Sequence, residues 1–176
     1  ELMPGAVAAQ CHQSDAEALS SRSVSIREQE GGGRCFETVK FPVELSGGSL
    51  GVGGFIRDIT DRKQVEERLR KVSKEWEDIF QAVGHPTLIL APDHTVLAAN
   101  RATAGVLQQS PGEIVGKKCY ELFHLTGAPP PGCPLEKTLS TGRAETVEMR
   151  LEALGGYCLV SSTPVFDEGG SLEKVI

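Results

Sequence analysis

The sequence contains an internal repeat that spans most of its length. The string GGSL occurs at residues 47–50 and again at residues 169–172. The same offset of 122 residues places Pro42-Val43 on Pro164-Val165. Three further matches follow the same order along the chain: Gly32-Gly33 with Gly155-Gly156, Ile26 with Met149, and Glu1-Leu2 with Glu121-Leu122. Collinear matches predict two copies of one domain, of which the first begins near its middle and the second stops just before its end.

Length and charge limit the partners that this chain can have. Its 176 residues suit one or two domains. The net charge is −6, and basic residues form no stripe of the kind that nucleic acid or an anionic membrane would require. Apolar runs such as PTLIL are far shorter than the roughly 20 residues of a membrane-spanning helix. We therefore expect a cytoplasmic chain with no nucleic-acid partner and no membrane contact.

The first copy has the hydrophobic pattern of an antiparallel sheet. A helical segment before residue 20 precedes three predicted strands, at residues 23–30, 34–45 and 49–59. Apolar and polar residues alternate in the first two strands, as expected for a sheet with one buried face. The strings GGGR and SGGS between the strands have the composition of hairpin turns.

The second copy supplies the front half that the first copy lacks. The segment PTLILAPDHTVLAAN predicts two short strands around a turn at residues 92–94. Asn100 should then cap a helix, and Ser110 and Glu113 have the spacing of a capping box. The remaining predicted elements are a helix and three strands, at residues 134–139, 144–152, 157–166 and 171–176. Helices that are segregated from an antiparallel sheet define an α+β fold.

A long helix is predicted between the copies, at residues 61–83. Its apolar residues are spaced alternately by four and three positions, which is the pattern of a coiled-coil seam: Val65, Leu69, Val72, Trp76, Ile79 and Val83. Thr60 or Asp61 should cap its start, and Gly84-His85-Pro86 should end it. This seam predicts a parallel homodimer; the alternative is that the helix packs against its own domain.

Two segments resemble parts of the PAS domain family. KFPVELSGGSLGVGGFIRDITDRKQVEERLRK, at residues 40–71, resembles the end of a PAS domain, where the last strand runs into an Asp-Ile-Thr triplet and a signalling helix. HPTLILAPDHTVLAAN, at residues 85–100, resembles the start of the next one. The resemblance implies three segments: the C-terminal part of a first PAS domain, a linker helix, and a second PAS domain without its final residues, at residues 1–60, 61–83 and 84–176.

The resemblance also implies an architecture and a role. A PAS domain should have a five-stranded antiparallel sheet in the order 2-1-5-4-3, with short helices over one face and a pocket between them. Such modules of bacterial and archaeal proteins regulate a downstream effector, commonly a histidine kinase in the same chain. By this analogy Asp58, Ile59 and Thr60 relay a change in the sheet to the linker helix. The alternative is that these residues only cap the helix.

No catalytic motif is found in the sequence. It contains no phosphate-binding glycine loop, no G-x-S-x-G and no H-E-x-x-H. His85 and His94 fall in the predicted first strand and its turn. The cysteines form no C-x-x-C pair, which argues against a disulfide framework or a ribbon-type zinc site: Cys11, Cys35, Cys119, Cys133 and Cys158. We therefore expect a non-catalytic fragment, whose parent protein can be a signalling enzyme.

The string KCYELFHLTGAPPPGCPLEKTL contains the most suggestive chemistry. It supplies Cys119, His124 and Cys133, and Cys158 on a later strand is a fourth candidate for a ligand or redox site. Thiolates with an imidazole suit zinc, an iron–sulfur centre or haem. Cys119 and His124, however, do not share a helix face. By the resemblance, a subset of related PAS domains has a further cysteine where this chain has Pro130. We predict no metal here; the alternative to a site is a set of buried thiols that fill the core.

The cofactor, if any, is not determined by the sequence. No cofactor is required, and haem or a metal would have to use the thiol cluster. Flavin is disfavoured because the Asn-Cys-Arg-Phe string of light-sensing PAS domains is absent from the chain.

Two functions fit these observations. The first is a sensory module that detects a small ligand, a redox state or a cofactor and relays the change through the linker helix to a downstream effector. The second is a structural dimerisation spacer whose pocket is filled by its own side chains. In either case the incomplete first copy would expose the edge of its last strand, so we expect another chain, the second domain or preceding residues to cover that edge.

Overall fold

The computed structural model describes residues 14–176, and the chain divides into two compact units after Ser73. The repeat residues Glu1-Leu2 and Cys11 lie outside the described residues. Each unit contains antiparallel strands together with helices, which confirms the α+β class expected from the sequence. In the described part of the chain, no helix is both long enough and apolar enough to cross a membrane.

The first unit contains a helix followed by a three-stranded meander. Helix α1 covers residues 14–21, and the strands follow in the order β1-β2-β3, with β1 at Ser25–Gly31, β2 at Arg34–Glu44 and β3 at Leu50–Asp58. Both connections contain paired glycines with positive φ, as the strings GGGR and SGGS predicted. Within the described residues β3 pairs with β2 alone, so a cover for its other edge stays a prediction.

Glycine allows strand β3 to lie close against β2. A Cβ atom at Gly53 would meet the ring of Phe41 at 2.7 Å, and a Cβ atom at Gly54 would meet the carbonyl oxygen of Val39 at 2.7 Å. A ring can rotate away, whereas a backbone carbonyl in a paired strand can move only with the strand. The close approach at Gly54 therefore excludes any larger residue without a shift of the sheet.

We predict that Gly54→Ala destabilises the first unit by about 1–3 kcal/mol, because the added methyl group overpacks the contact with Val39. Hydrogen exchange of the amides in β2 and β3 measures the loss. Gly31→Ala is the matched control, since a Cβ atom there meets nothing within 4 Å. Equal protection in the two variants would contradict the prediction.

Helix α2, Thr60–Ala82, follows β3 with only Ile59 between them. The carbonyl oxygen of Ile59 accepts a hydrogen bond from Lys63 N, and the Asp58 carboxylate accepts from both the N–H and the hydroxyl of Thr60. The side chain that caps the helix is thus Asp58, and the prediction that Thr60 or Asp61 does so is wrong. The Thr60 hydroxyl instead accepts from Cys35 N on β2 and connects the helix to the sheet.

The apolar seam of α2 is exposed. Five of its six residues have exposed fractions between 49% and 69%: Val65, Leu69, Val72, Trp76 and Ile79. Val83, just beyond the helix, is half-buried. Phe80 is the buried residue of the helix, and its ring stacks on that of Trp76 with 5.3 Å between centroids.

The second unit begins with two strands, continues with four short helices and ends with four strands. The opening strands are β4 at Leu88–Leu90 and β5 at Val96–Ala99. The helices are α3 at Arg101–Leu107, α4 at Pro111–Ile114, α5 at Cys119–Phe123 and α6 at Pro134–Thr141. The closing strands are β6 at Glu145–Leu151, β7 at Gly156–Ser162, β8 at Pro164–Phe166 and β9 at Leu172–Val175, with a 3-10 turn at Glu152–Leu154 after β6. The predicted capping box of Ser110 and Glu113 is present at the start of α4.

The strands of the second unit form two sheets. Four strands pair in the order β5-β4-β9-β8, and β6 pairs with β7. The strand that the sequence predicted at residues 157–166 is interrupted at Thr163, whose N–H and carbonyl both bond to Ile176 beside β9. One predicted strand therefore contributes to both sheets.

Two adjacent apolar clusters form the core of the second unit. The larger joins strand residues to helix residues: Val96, Ala99, Ile114, Leu122, Phe123 and Leu151. The smaller consists of Cys133, Leu135 and Val175. Leu90 and Cys119 pack against both clusters, so the sheet and helices enclose one apolar region.

Asn100 is the fully buried polar residue that joins these elements. Its Oδ1 accepts from Thr87 N, Thr103 N and the Thr103 hydroxyl, and its Nδ2 donates to the carbonyls of Val83 and His85. The predicted cap of α3 is confirmed, because Thr103 N is the third amide of that helix. The same amide group also bonds the chain that leaves α2 to the residue that follows β5.

We predict that Asn100→Ala lowers the free energy of unfolding of the second unit by about 3 kcal/mol, because buried donors and acceptors lose their partners. Urea unfolding followed by circular dichroism measures the change. Arg101→Ala, at the exposed neighbouring position, should change stability by less than about 0.5 kcal/mol. Equal effects of the two substitutions would show that Asn100 does not have this structural role.

Candidate functional site

A cavity of about 610 Å³ lies among the strands and helices of the second unit. Apolar side chains from both core clusters line much of it: Leu90, Phe123, Leu135, Leu151 and Val175. Small-molecule sites commonly have volumes of about 300–1,000 Å³ and mainly apolar walls. The cavity therefore has the size and lining of a site for a small apolar molecule.

The structure places all four predicted site residues on the wall of this cavity. Cys119 begins α5, His124 directly follows that helix, Cys133 precedes α6, and Cys158 lies on β7. Cys133 is buried, and the other three residues are half-buried. Residues up to 39 positions apart in the sequence thus line the same cavity.

A second histidine, His94, connects the thiol of Cys119 to a carboxylate. His94 Nδ1 lies 3.6 Å from Cys119 Sγ, and His94 Nε2 lies 2.6 Å from Glu136 Oε1 on α6. The ring of Tyr120 meets that of His94 edge-on, with 5.5 Å between centroids. His94 is 5% exposed and does not line the cavity, so it contacts the thiol from the protein interior.

Backbone hydrogen bonds bring His94 to the start of α5. Cys119 N donates to the carbonyl of His94, and Val96 N donates to that of Lys117. The ammonium group of Lys118 contacts Asp93 Oδ2 at 2.9 Å and the Thr95 hydroxyl at 2.9 Å. Hydrogen bonds from Lys118 and Thr95 hold the pKa of the Asp93 carboxyl well below its usual range. The turn is therefore anchored on both sides of the imidazole.

The environment of Cys119 keeps its thiol protonated. Burial, and to a smaller extent the nearby Cys133, raises the pKa of Cys119 to about 12. A free thiolate is therefore scarce at neutral pH. His124, the imidazole of the predicted cluster, has a different partner from Cys119, since its Nδ1 lies 3.2 Å from Glu152 Oε2.

The polar side chains of the cavity region do not converge as a metal site. Among residues 14–176, no group of three His, Cys, Asp or Glu side chains has an arrangement that could hold a metal ion. Cys119 is paired with His94, while His124 is paired with Glu152. The donor set that the sequence offered for zinc, iron–sulfur or haem is thus divided between separate pairs.

The three predicted relay residues lie at the junction of β3 and α2. Asp58 caps the helix, Ile59 is 4% exposed and its N–H donates to the carbonyl of Cys35, and Thr60 bonds to both Asp58 and Cys35. Hydrogen bonds from Thr60 lower the pKa of the Asp58 carboxyl. These contacts connect the first turn of α2 to β2 and β3 in the first unit.

Sequence reasoning missed His94 and Glu136 as members of the site. His94 was assigned only to a turn, and Glu136 was not considered. The available signal was a histidine within a polar turn sequence. Its partners, Cys119 and Glu136, lie 25 and 42 positions further along the chain. Neither pairing follows from helical or strand spacing.

Comparison with known families now identifies the chain. A family model described as "PAS domain" matches residues 84–176, and one described as "PAS fold" matches residues 1–64. The chain therefore belongs to the PAS domain family, whose members are modules of sensory signalling proteins. A comparison with curated proteins returned no match.

Solved PAS domains are similar to this chain at low identity. The PAS domain of nitrogen regulation protein NR(II) from Vibrio parahaemolyticus is 20% identical, with 56% of this chain and 91% of that chain covered and a TM-score of 0.44. The PAS domain of an HTR-like protein from Haloarcula marismortui is also 20% identical, with 64% and 93% covered and a TM-score of 0.47. The PAS domain of BvgS from Bordetella pertussis is 14% identical, with 62% and 84% covered and a TM-score of 0.44.

Proposed function

We propose that this chain is a sensory PAS module whose second domain detects a small apolar ligand or a redox change in its cavity. The observation that carries this proposal is the cavity of about 610 Å³, which has mainly apolar walls and is lined by three cysteines and two histidines. The change would pass through a linker helix to a downstream effector, for which a histidine kinase in the same chain is our expectation. We expect the parent protein to act in the cytoplasm.

The proposed domain plan is a tandem of two PAS domains. Residues 1–60 would be the C-terminal part of the first, residues 61–83 the linker helix, and residues 84–176 the second. The two separate family matches support this plan. We also propose the family order 2-1-5-4-3 for the second domain; the strand pairings support it if β7 and β8 are counted as one strand interrupted at Thr163.

The alternative function is a structural spacer whose pocket is filled by its own side chains. The cavity favours a ligand site over that alternative, since a self-filled pocket would leave no space of this size. We propose that the fragment itself is not catalytic. We also propose that it needs no structural metal, because Cys119 and His124 have separate partners.

We predict that Val160→Trp blocks the cavity. The apolar fluorescent probe N-phenyl-1-naphthylamine should bind the unsubstituted chain and bind this variant at least about tenfold more weakly, because the indole occupies the space that the probe needs. Val160 lines the cavity from β7. Fluorescence titration measures the dissociation constants.

Tyr157→Trp is the matched control for this experiment. Tyr157 lies on the same strand, is 72% exposed and does not line the cavity, so the variant should bind the probe as the unsubstituted chain does. Absence of probe binding to the unsubstituted chain would favour the structural spacer. Equal binding by both variants would show that the probe site is elsewhere.

We also propose that the exposed seam of α2 forms a parallel homodimer with a second copy of the chain. Its apolar residues recur with heptad spacing over three heptads, and most of them are exposed in the single chain. A parallel pair of such helices would bury this stripe. The polar residues on the other faces of α2 would stay in water.

We predict that the double variant Leu69→Asp, Val72→Asp is monomeric, because each chain would bury two unpaired charges in the interface. Sedimentation velocity measures the oligomeric state. Lys74→Asp introduces the same side chain on the opposite face and should leave the dimer intact. An unchanged dimer in the double variant would exclude the seam as the interface.

A further inference from the structure

The thiol of Cys119 has the two neighbours that a base-assisted nucleophile requires. On one side it borders the cavity, and on the other side its sulfur contacts His94 Nδ1 at 3.6 Å. The imidazole in turn contacts Glu136 Oε1 at 2.6 Å through its second nitrogen. A nucleophile, a base and a group that orients the base therefore lie in one hydrogen-bonded series.

The carboxylate of Glu136 determines which nitrogen of His94 acts as the base. A carboxylate can only accept a hydrogen bond, so Nε2 of the neutral imidazole carries the proton that is shared with Glu136. Nδ1 is then an acceptor and faces the sulfur of Cys119. The thiol proton can move to Nδ1 when a reaction consumes the thiolate, although the resting thiol is protonated.

We propose that Cys119 is an oxidation site for alkyl hydroperoxides, with His94 as its base and Glu136 as a positioning residue. This inference rests on the proposed sensory function, because it assigns a chemical class of signal to the same cavity. The apolar walls favour a hydroperoxide that carries an alkyl or aryl group over a small hydrophilic oxidant.

The proposed reaction is a two-electron oxidation of sulfur. The Cys119 proton moves to His94 Nδ1 as Sγ attacks the terminal oxygen of the hydroperoxide. An S–O bond forms and the O–O bond breaks, so that sulfur is oxidised and the peroxide is reduced. The leaving alkoxide takes the proton from the imidazolium and departs as an alcohol. Cys119 is left as a sulfenic acid.

Cys133 provides a second thiol near this product. It belongs to the apolar cluster against which Cys119 packs, and both residues line the cavity. Attack of its thiol on the sulfenic sulfur would form a disulfide and release water. Oxidation of Cys119 would therefore change the contacts between the start of α5 and the start of α6.

Cys158 is an internal control that separates base-assisted reactivity of a thiol from mere access of the oxidant to the cavity. It lines the same cavity and is half-buried like Cys119. In the described part of the chain, its sulfur has no hydrogen bond to an imidazole. A reagent that only needs to enter the cavity should therefore modify both thiols, whereas base-assisted attack selects Cys119.

The test is to treat the reduced 176-residue chain with cumene hydroperoxide in the presence of dimedone and to locate the products by peptide mass spectrometry. We expect a dimedone adduct on Cys119, or a Cys119–Cys133 disulfide formed from it, at least about tenfold faster than modification of Cys158. Equal rates at Cys119 and Cys158, or an unreactive Cys119 in the folded chain, would overturn the proposal.

Substitutions of the two partners test their roles. His94 has a φ of 72°, which asparagine tolerates, so His94→Asn removes the base while it keeps the turn. We expect a rate of Cys119 oxidation about 100-fold lower in this variant. Glu136→Ala should also slow the reaction, and Glu136→Asp should restore part of the rate. An unchanged rate of Cys119 oxidation in a folded His94→Asn chain would show that His94 is not the base. If that variant does not fold, the relative oxidation rates of Cys119 and Cys158 in the unsubstituted chain test the proposal.

Probe binding separates this inference from the proposed function. If N-phenyl-1-naphthylamine binds normally but Cys119 is not oxidised, the cavity remains a ligand site and only the redox proposal is wrong. If the probe does not bind but Cys119 is oxidised selectively and depends on His94, the redox proposal is supported and the proposal that the cavity binds a larger apolar ligand is wrong.

Discussion

The buried side chain of Asn100 is the contact on which the arrangement of the second unit depends. Its oxygen caps α3 and accepts from Thr87, and its nitrogen donates to the two carbonyls that follow α2. An amide is suited to this position because it offers an acceptor and two donors without net charge. The carbonyl of His85 is one of its partners, and His85 lines the cavity. One side chain therefore bonds both to Val83, which follows α2, and to a residue of the cavity wall.

Local sequence signals predicted most of the fold. Features that depend on neighbours close in the chain were predicted correctly: the glycine turns, the cap at Asn100 and the capping box at Ser110. The predicted first and last residues of α2 each differ from the observed ones by one position. The interruption at Thr163 was not predicted, since it depends on pairing with Ile176 rather than on its own segment. For Asp58 the sequence left two roles open, relay and capping, and its contacts with the N–H and hydroxyl of Thr60 show that it caps the helix.

The candidate site was predictable only in part. The string that contains Cys119, His124 and Cys133 identified residues that do line one cavity. Helical spacing correctly separated Cys119 from His124 as partners, but it could not indicate which groups each one contacts. His94 reaches Cys119 through a turn that packs on α5, and Glu136 reaches His94 from α6. Such contacts arise from tertiary packing, which no short-range pattern encodes.

The backbone conformation at His94 has a consequence for how this site can vary between proteins. The left-handed φ of His94 favours glycine, asparagine, aspartate and histidine at this position. Among these, histidine is the residue that can accept a proton from a thiol at neutral pH. A change of one nucleotide converts a histidine codon into an asparagine codon, with the turn conserved. Related proteins could therefore gain or lose thiol chemistry at this cavity by a single mutation, while the domain that surrounds it remains the same.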